Sequence, residues 1–151
     1  MIKGLLPAAD LPVYTSPLQR CTRLAAVLSS RDAQSDARLQ ELNFGDWEMR
    51  AWDDLPAGPR DAWLDDFVNR RPPRGESYGE LQKRALGFMR DVLHEEHETA
   101  LVVTHGGVIR ALLAHWQERP TRQAYDIAIG YGSVNLVEYT NGMMHVHWID
   151  R

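Results

Sequence analysis

The chain is poor in the features that several protein classes require. It has one cysteine in 151 residues, so no internal disulfide can form, and that usage fits a reducing compartment. No apolar run approaches the ~20 residues that a helix needs to cross a membrane. The opening stretch MIKGLLPAADL has too short an apolar segment, interrupted by Pro7, for a secretory signal peptide. Lysines and arginines form no cluster and the net charge is −4, which argues against a nucleic-acid partner. There is no internal repeat and no low-complexity tract. The expectation is a cytoplasmic protein with no membrane and no nucleic-acid partner.

Familiar catalytic signatures are missing as well. Cysteine phosphatases place an arginine six residues after the nucleophile, but six residues after Cys21 stands Val27. Cys21 falls on an apolar helix face and is read as packing. His94-Glu95-Glu96-His97 lacks the H-E-x-x-H spacing of metalloproteases, and His145 and His147 share a strand face with no third ligand. No metal and no cofactor is therefore expected. Gly130-Tyr131-Gly132-Ser133 does not match the G-x-S-x-G nucleophile elbow of serine hydrolases.

What is present describes a globular chain. Hydrophobic residues make up 44% and charged residues 25%, and the length suits one domain, residues 1–151, with a real core. The pattern centres on Leu101 to Arg110. Leu101-Val102-Val103 reads as a strand buried on both faces of a parallel sheet. Two glycines follow Thr104-His105, and Val108 to Trp116 reads as a helix that stops before Pro120. His105 then sits at the carboxyl end of a strand, ahead of a helix start, where open α/β sheets bind ligands and backbone N–H groups favour anions. The alternative is a histidine in a purely structural turn.

Upstream, Pro12 to Thr15 is a short strand, Ser16 a candidate cap and Pro17 a first helical residue. Leu18, Cys21, Leu24, Ala25 and Leu28 give the helix one apolar face. Arg20 lies in its first turn, where a cation opposes the helix dipole unless an anion is shared there; an exposed surface arginine is the bland reading. Glu41, Asp46 and Glu48 surround a glycine turn beside Phe44 and Trp47, and one of them, partly desolvated, could serve as a general acid. Spacing does not choose among the three. A short helix over Asp61 to Asn69 is expected to form a lid over the sheet. After the break at Arg70 to Gly75, Ser77 and Glu80 form a capping box for a helix whose stripe is Leu81, Ala85, Phe88 and Val92. Ser133 to Tyr139 and Met143 to Ile149 form a hairpin through Asn141-Gly142.

Four segments in order, YTSPLQRC, LQELNFGDWE, RGESYGELQKR and VVTHGGVIRALL, resemble the histidine phosphatase (phosphoglycerate mutase-like) superfamily, most of all its α-ribazole phosphatase branch in the cobalamin pathway. The resemblance covers Leu11 to about Tyr139. It implies an α/β three-layer sandwich with a mainly parallel central sheet flanked by helices. It also implies hydrolysis of a small phosphorylated substrate through a phosphohistidine. By this resemblance Arg20 is the phosphate-pocket arginine, Glu41 the proton donor to the leaving oxygen and His105 the second catalytic histidine. Gly106 presents a backbone N–H nearby. A mutase-type phosphotransfer is the less favoured alternative.

One element of the family pattern is missing from these residues. The family opens with a strand ending in R-H-G, whose histidine is the nucleophile, and no R-H-G occurs in the 151 residues. A strand–loop–helix unit of roughly 30 residues is unaccounted for; it belongs beside Leu101 to Thr104. Three explanations stay open: a start downstream of the natural one, a truncation, or a second chain that supplies the edge, such as a homo-oligomer. The first two are preferred. The 151-residue chain alone is expected to be inactive, or to be a non-catalytic remnant that binds phosphate or a partner.

Overall fold

The computed structural model describes residues 11–95 and 98–149. The reading of Met1 to Asp10 as a segment without periodicity falls outside these residues, as does His97. In chain order the elements are β1 (Val13–Thr15), α1 (Gln19–Leu28), β2 (Gln34–Ser35), α2 (Ala57–Asp65), α3 (Tyr78–Val92), β3 (Leu101–Val103), α4 (Gly106–Trp116), β4 (Leu136–Thr140) and β5 (Met143–Trp148), with short 3-10 turns between them.

Three strands form a parallel sheet in the order β2-β1-β3. Alternation along β1 and β3 sends side chains to opposite faces. Val13, Leu101 and Val103 meet Cys21, Leu24, Ala25 and Leu28 of α1. Tyr14 and Val102 meet Phe88, Met89 and Val92 of α3. Helix, sheet and helix are therefore stacked in three layers, the expected α/β class. The largest apolar cluster joins α3 to α4 through Leu81, Ala85, Val108, Ala111 and Leu112. Gln82 Nε2 donates to the Ala111 carbonyl at 2.8 Å, a polar tie between the same two helices.

The capping box at α3 is formed: Ser77 Oγ accepts from Glu80 N–H and Glu80 accepts from Ser77 N–H. The stripe Leu81, Ala85, Phe88 and Val92 is buried along its full length. β4 and β5 pair antiparallel, and Asn141 and Gly142 both adopt positive φ, as a tight hairpin turn between right-twisted strands requires.

Four local readings are corrected. β3 is only half-buried at Leu101 and Val102, because it is the last strand in the sheet order and, among the described residues, no strand pairs with its outer edge. The helix expected over Asp61 to Asn69 lies at Ala57–Asp65; it starts after Pro56, with Pro59 tolerated in its first turn. Its aromatic residues do not roof the sheet. Trp63 packs with Phe44, Trp47, Trp52 and Phe67, on the cluster that α3 and α4 share. Finally, α1 begins at Gln19 with Leu18 as its uncapped N-cap residue; Ser16 Oγ accepts from the N–H of Leu18, just ahead of the helix, at 3.3 Å.

Ser77→Ala removes the acceptor for Glu80 N–H and should cost about 1 kcal/mol. The expected result is a lower urea midpoint with an unchanged m value.

Candidate active site

The site follows from strand register. β1 and β3 run parallel with Thr15 opposite Val103, and Ser16 N–H continues the ladder to the Val103 carbonyl at 2.9 Å. Both strands therefore end at one level, and the residues that follow them meet. Ser16 and the first turn of α1 come from one strand, Thr104 and His105 from the other. Thr104 Oγ1 donates to the Leu39 carbonyl at 2.7 Å, which brings in the segment that carries Glu41.

His105 is the N-cap residue of α4, extended in backbone (φ −118°, ψ 160°) and with no side-chain cap bond. Its ring is buried and contacted at both nitrogens. Arg20 Nε donates to Nδ1 at 3.1 Å, and Nε2 lies 2.8 Å from Ser16 Oγ. Cys21 Sγ lies 3.5 Å from Nε2 and donates to the Thr104 carbonyl at 3.6 Å. Burial holds the His105 pKa below its ordinary value; Glu41 opposes that shift, while Arg20 and Arg84 add to it. Burial likewise pushes the Cys21 thiol up, so Cys21 packs rather than attacks.

Glu41 reaches the same place from the other side. Its Oε2 accepts from Gly107 N–H at 3.2 Å and its Oε1 from Leu42 N–H at 3.0 Å. A carboxylate thus sits on the first turn of α4, where the helix dipole favours it. Gly107 permits this approach, since a Cβ there would fall on Glu41 Oε1. Gly106 is the first residue of α4, so its N–H has no acceptor within the helix.

Of the three acids near the glycine turn, only Glu41 joins the site. Asp46 pairs with Arg74, and Glu48 accepts from Phe44 N–H at 2.8 Å. The structure therefore brings Arg20, Glu41, His105 and Gly106 to one end of the sheet. It leaves His94, His115, His145 and His147 exposed on the surface. His147 Nε2 lies 2.7 Å from Glu138 Oε2.

Sequence reasoning missed several supporting residues. Arg84 binds Glu76 through two hydrogen bonds, at 3.0 and 2.6 Å. It also donates to the carbonyls of Arg38 and Glu41, at 2.7 and 3.2 Å. Glu76 in turn accepts from Asn43 N–H at 3.0 Å. This ion pair clamps residues 38–43 against α3. Both members lie in RGESYGELQKR, yet their spacing of eight gives no hint of a shared partner three dozen residues upstream. Tyr78 donates to the Gly107 carbonyl at 2.8 Å, and Tyr125 packs on Tyr78 with 5.1 Å between ring centroids. The Tyr125 hydroxyl is pushed up to about 12 by burial and by Glu41.

Among the described residues, no group of three histidine, cysteine or acidic side chains is arranged to hold a metal ion. No helix there is long and apolar enough to cross a membrane.

A parallel α/β sheet with an arginine, a histidine and a carboxylate converging at its strand ends defines a class of anion-handling sites. The chain belongs to the histidine phosphatase superfamily (branch 1), whose family model matches residues 3–150. It is 31% identical over 133 residues to the adenosylcobalamin/α-ribazole phosphatase of Escherichia coli K12, which covers 83% of this chain and 66% of that protein. It is 30% identical over 107 residues to a Hydrogenobacter thermophilus protein named as a phosphoserine phosphatase, covering 67% of this chain and 53% of the relative. The chain thus spans between about half and two thirds of these relatives. Among solved structures, YhfR of Bacillus stearothermophilus superposes with a TM-score of 0.85 at 30% identity, over 97% of this chain and 77% of the other.

Two outcomes follow from this geometry. Gly107→Ala should displace the Glu41 carboxylate and cost on the order of 1–3 kcal/mol in chemical denaturation. Gly106→Ala, which meets only the flexible end of Arg110, should cost less. The lowered His105 pKa means that the unfolded chain binds the proton more readily. This contribution to stability is intact above the unfolded histidine pKa of about 6.5 and is lost as pH falls through the lower folded value. Denaturation across that window should show the loss in the wild type and a smaller one in His105→Gln.

Proposed function

We propose that this domain is built for phosphomonoester hydrolysis through a phosphohistidine, on a small phosphorylated substrate of the α-ribazole phosphatase type. In this reading Arg20 holds the phosphoryl group with its guanidinium fork. His105 hydrogen-bonds the phosphoryl oxygens as charge builds in the transition state, Gly106 adds a backbone N–H, and Glu41 gives the proton to the leaving oxygen. The observation that carries it is the meeting of Arg20, Glu41 and His105 at one strand end in a chain of this family.

The nucleophile is the piece that these residues do not supply. The family nucleophile comes from an R-H-G motif, and none occurs in the sequence. Among the described histidines only His105 is in the site, and it is engaged by Arg20 and Ser16. The 151-residue chain taken alone is therefore an oxyanion binder and not a turnover catalyst. The outer edge of β3 is where a further strand can pair, from additional chain or from a second copy.

The test is a pair of measurements on the purified chain. Vanadate should bind, and His105→Ala should weaken that binding. Hydrolysis of p-nitrophenyl phosphate should lie on the order of 10³- to 10⁶-fold below that of a version extended with an R-H-G segment. Robust turnover by the 151-residue chain, abolished by His105→Ala, would show that another residue acts as nucleophile.

A further inference from the structure

The hydroxyl of Ser16 is fully buried, and its neighbours define what it can do. Arg20 Nε–H can only donate, so His105 Nδ1, 3.1 Å away, must offer a lone pair. The single proton of the neutral ring then resides on Nε2 and is donated to Ser16 Oγ at 2.8 Å. Ser16 Oγ also accepts from Leu18 N–H at 3.3 Å, so its two lone pairs serve these two N–H groups. Ser16 therefore receives the Nε2–H from a position fixed by the turn into α1.

We propose that Ser16 is a positioning residue for His105: it keeps one ring proton on Nε2, so that Nδ1 is the atom presented to an oxyanion, and the oxyanion binds together with one further proton on Nδ1. The inference rests on the Arg20–His105 oxyanion site proposed above and adds its proton inventory.

In the free site Nδ1 is an acceptor and would repel an anion. When an oxyanion takes over the Arg20 guanidinium, Nδ1 faces negative charge and becomes a good place for a proton drawn from solvent. The resulting imidazolium has two N–H groups, and both need acceptors in a buried site. The oxyanion accepts one and Ser16 Oγ the other. The charged groups around the ring are Arg20 of α1, Glu41 of the preceding loop and Arg84 of α3, with the Cys21 thiol against the ring. The two guanidiniums disfavour the imidazolium before the anion arrives, and Glu41 favours it.

The test uses the 151-residue chain with sulfate as probe, because sulfate keeps one charge over the pH range concerned. In ¹⁵N spectra of the free protein, with His105 assigned by its loss in His105→Ala, the proton should lie on Nε2. With sulfate bound, both nitrogens should carry protons. Sulfate affinity should rise about tenfold for each pH unit lowered and level off once free His105 is itself protonated. Ser16→Ala should reduce sulfate affinity on the order of tenfold or more and move the His105 midpoint to lower pH. Ser16→Thr, which keeps the hydroxyl, should restore both. A free wild-type His105 with its proton on Nδ1 overturns the inference, as does sulfate binding that is independent of pH. If sulfate fails to bind at any pH, the oxyanion site itself is refuted, while the free-protein spectrum still decides the role of Ser16.

Discussion

The parallel pairing of β1 with β3 is the constraint from which the site descends. Because the two strands run the same way and Thr15 stands opposite Val103, their carboxyl ends finish together, although they lie almost ninety positions apart in sequence. Everything polar in the site hangs from that coincidence. Ser16 and Arg20 leave one strand, Thr104 and His105 leave the other, and both chains turn at once into helices. A slip of one residue in this register would turn each strand's side chains to the wrong layer, and would part the Arg20–His105 and Ser16–His105 contacts in the same step.

The helices hold this arrangement from both sides. α1 packs its apolar stripe on Val13 and Val103, which buries Cys21 against the His105 ring. α3 packs on Tyr14 and Val102, and extends its hold through the Glu76–Arg84 pair to the loop that bears Glu41. That pair is about four-fifths buried at both side chains, bidentate, and shared with backbone groups, the conditions under which a charge pair contributes to structure. The more exposed pairs Arg71–Glu80 and Arg38–Asp91 lie in water and contribute little each.

Chemically, the site is an imidazole held between a permanent cation and a buried hydroxyl, with a carboxylate across the helix start. Burial and the two guanidiniums hold the His105 pKa below its ordinary value, while Arg20 and the Gly106 N–H form a positive end. In the proposed reading, such a site attracts an oxyanion. Glu41 is held by its bonds to the Leu42 and Gly107 N–H groups.

Local sequence determined most of the elements here. The apolar run Leu101 to Val103, the 3.6-residue stripes of α1 and α3, the Ser77–Glu80 box and the Asn141-Gly142 turn each specify their own conformation through contacts only a few residues apart, so they are legible without the fold. Motif order also singled out Arg20, Glu41, His105 and Gly106. Tertiary structure alone decided three things. It set Ser16 Oγ against His105 Nε2 as well as Leu18 N–H, because the end of β1 lies beside the end of β3. It gave Glu41, which motif order had singled out and spacing had not, its seat, because only that carboxylate among the three meets Gly107, whose missing Cβ leaves the room. And it made Glu76 and Arg84 a clamp on a distant loop, since that partnership exists only after α3 has packed against the sheet, and no spacing along the chain encodes a distance in space.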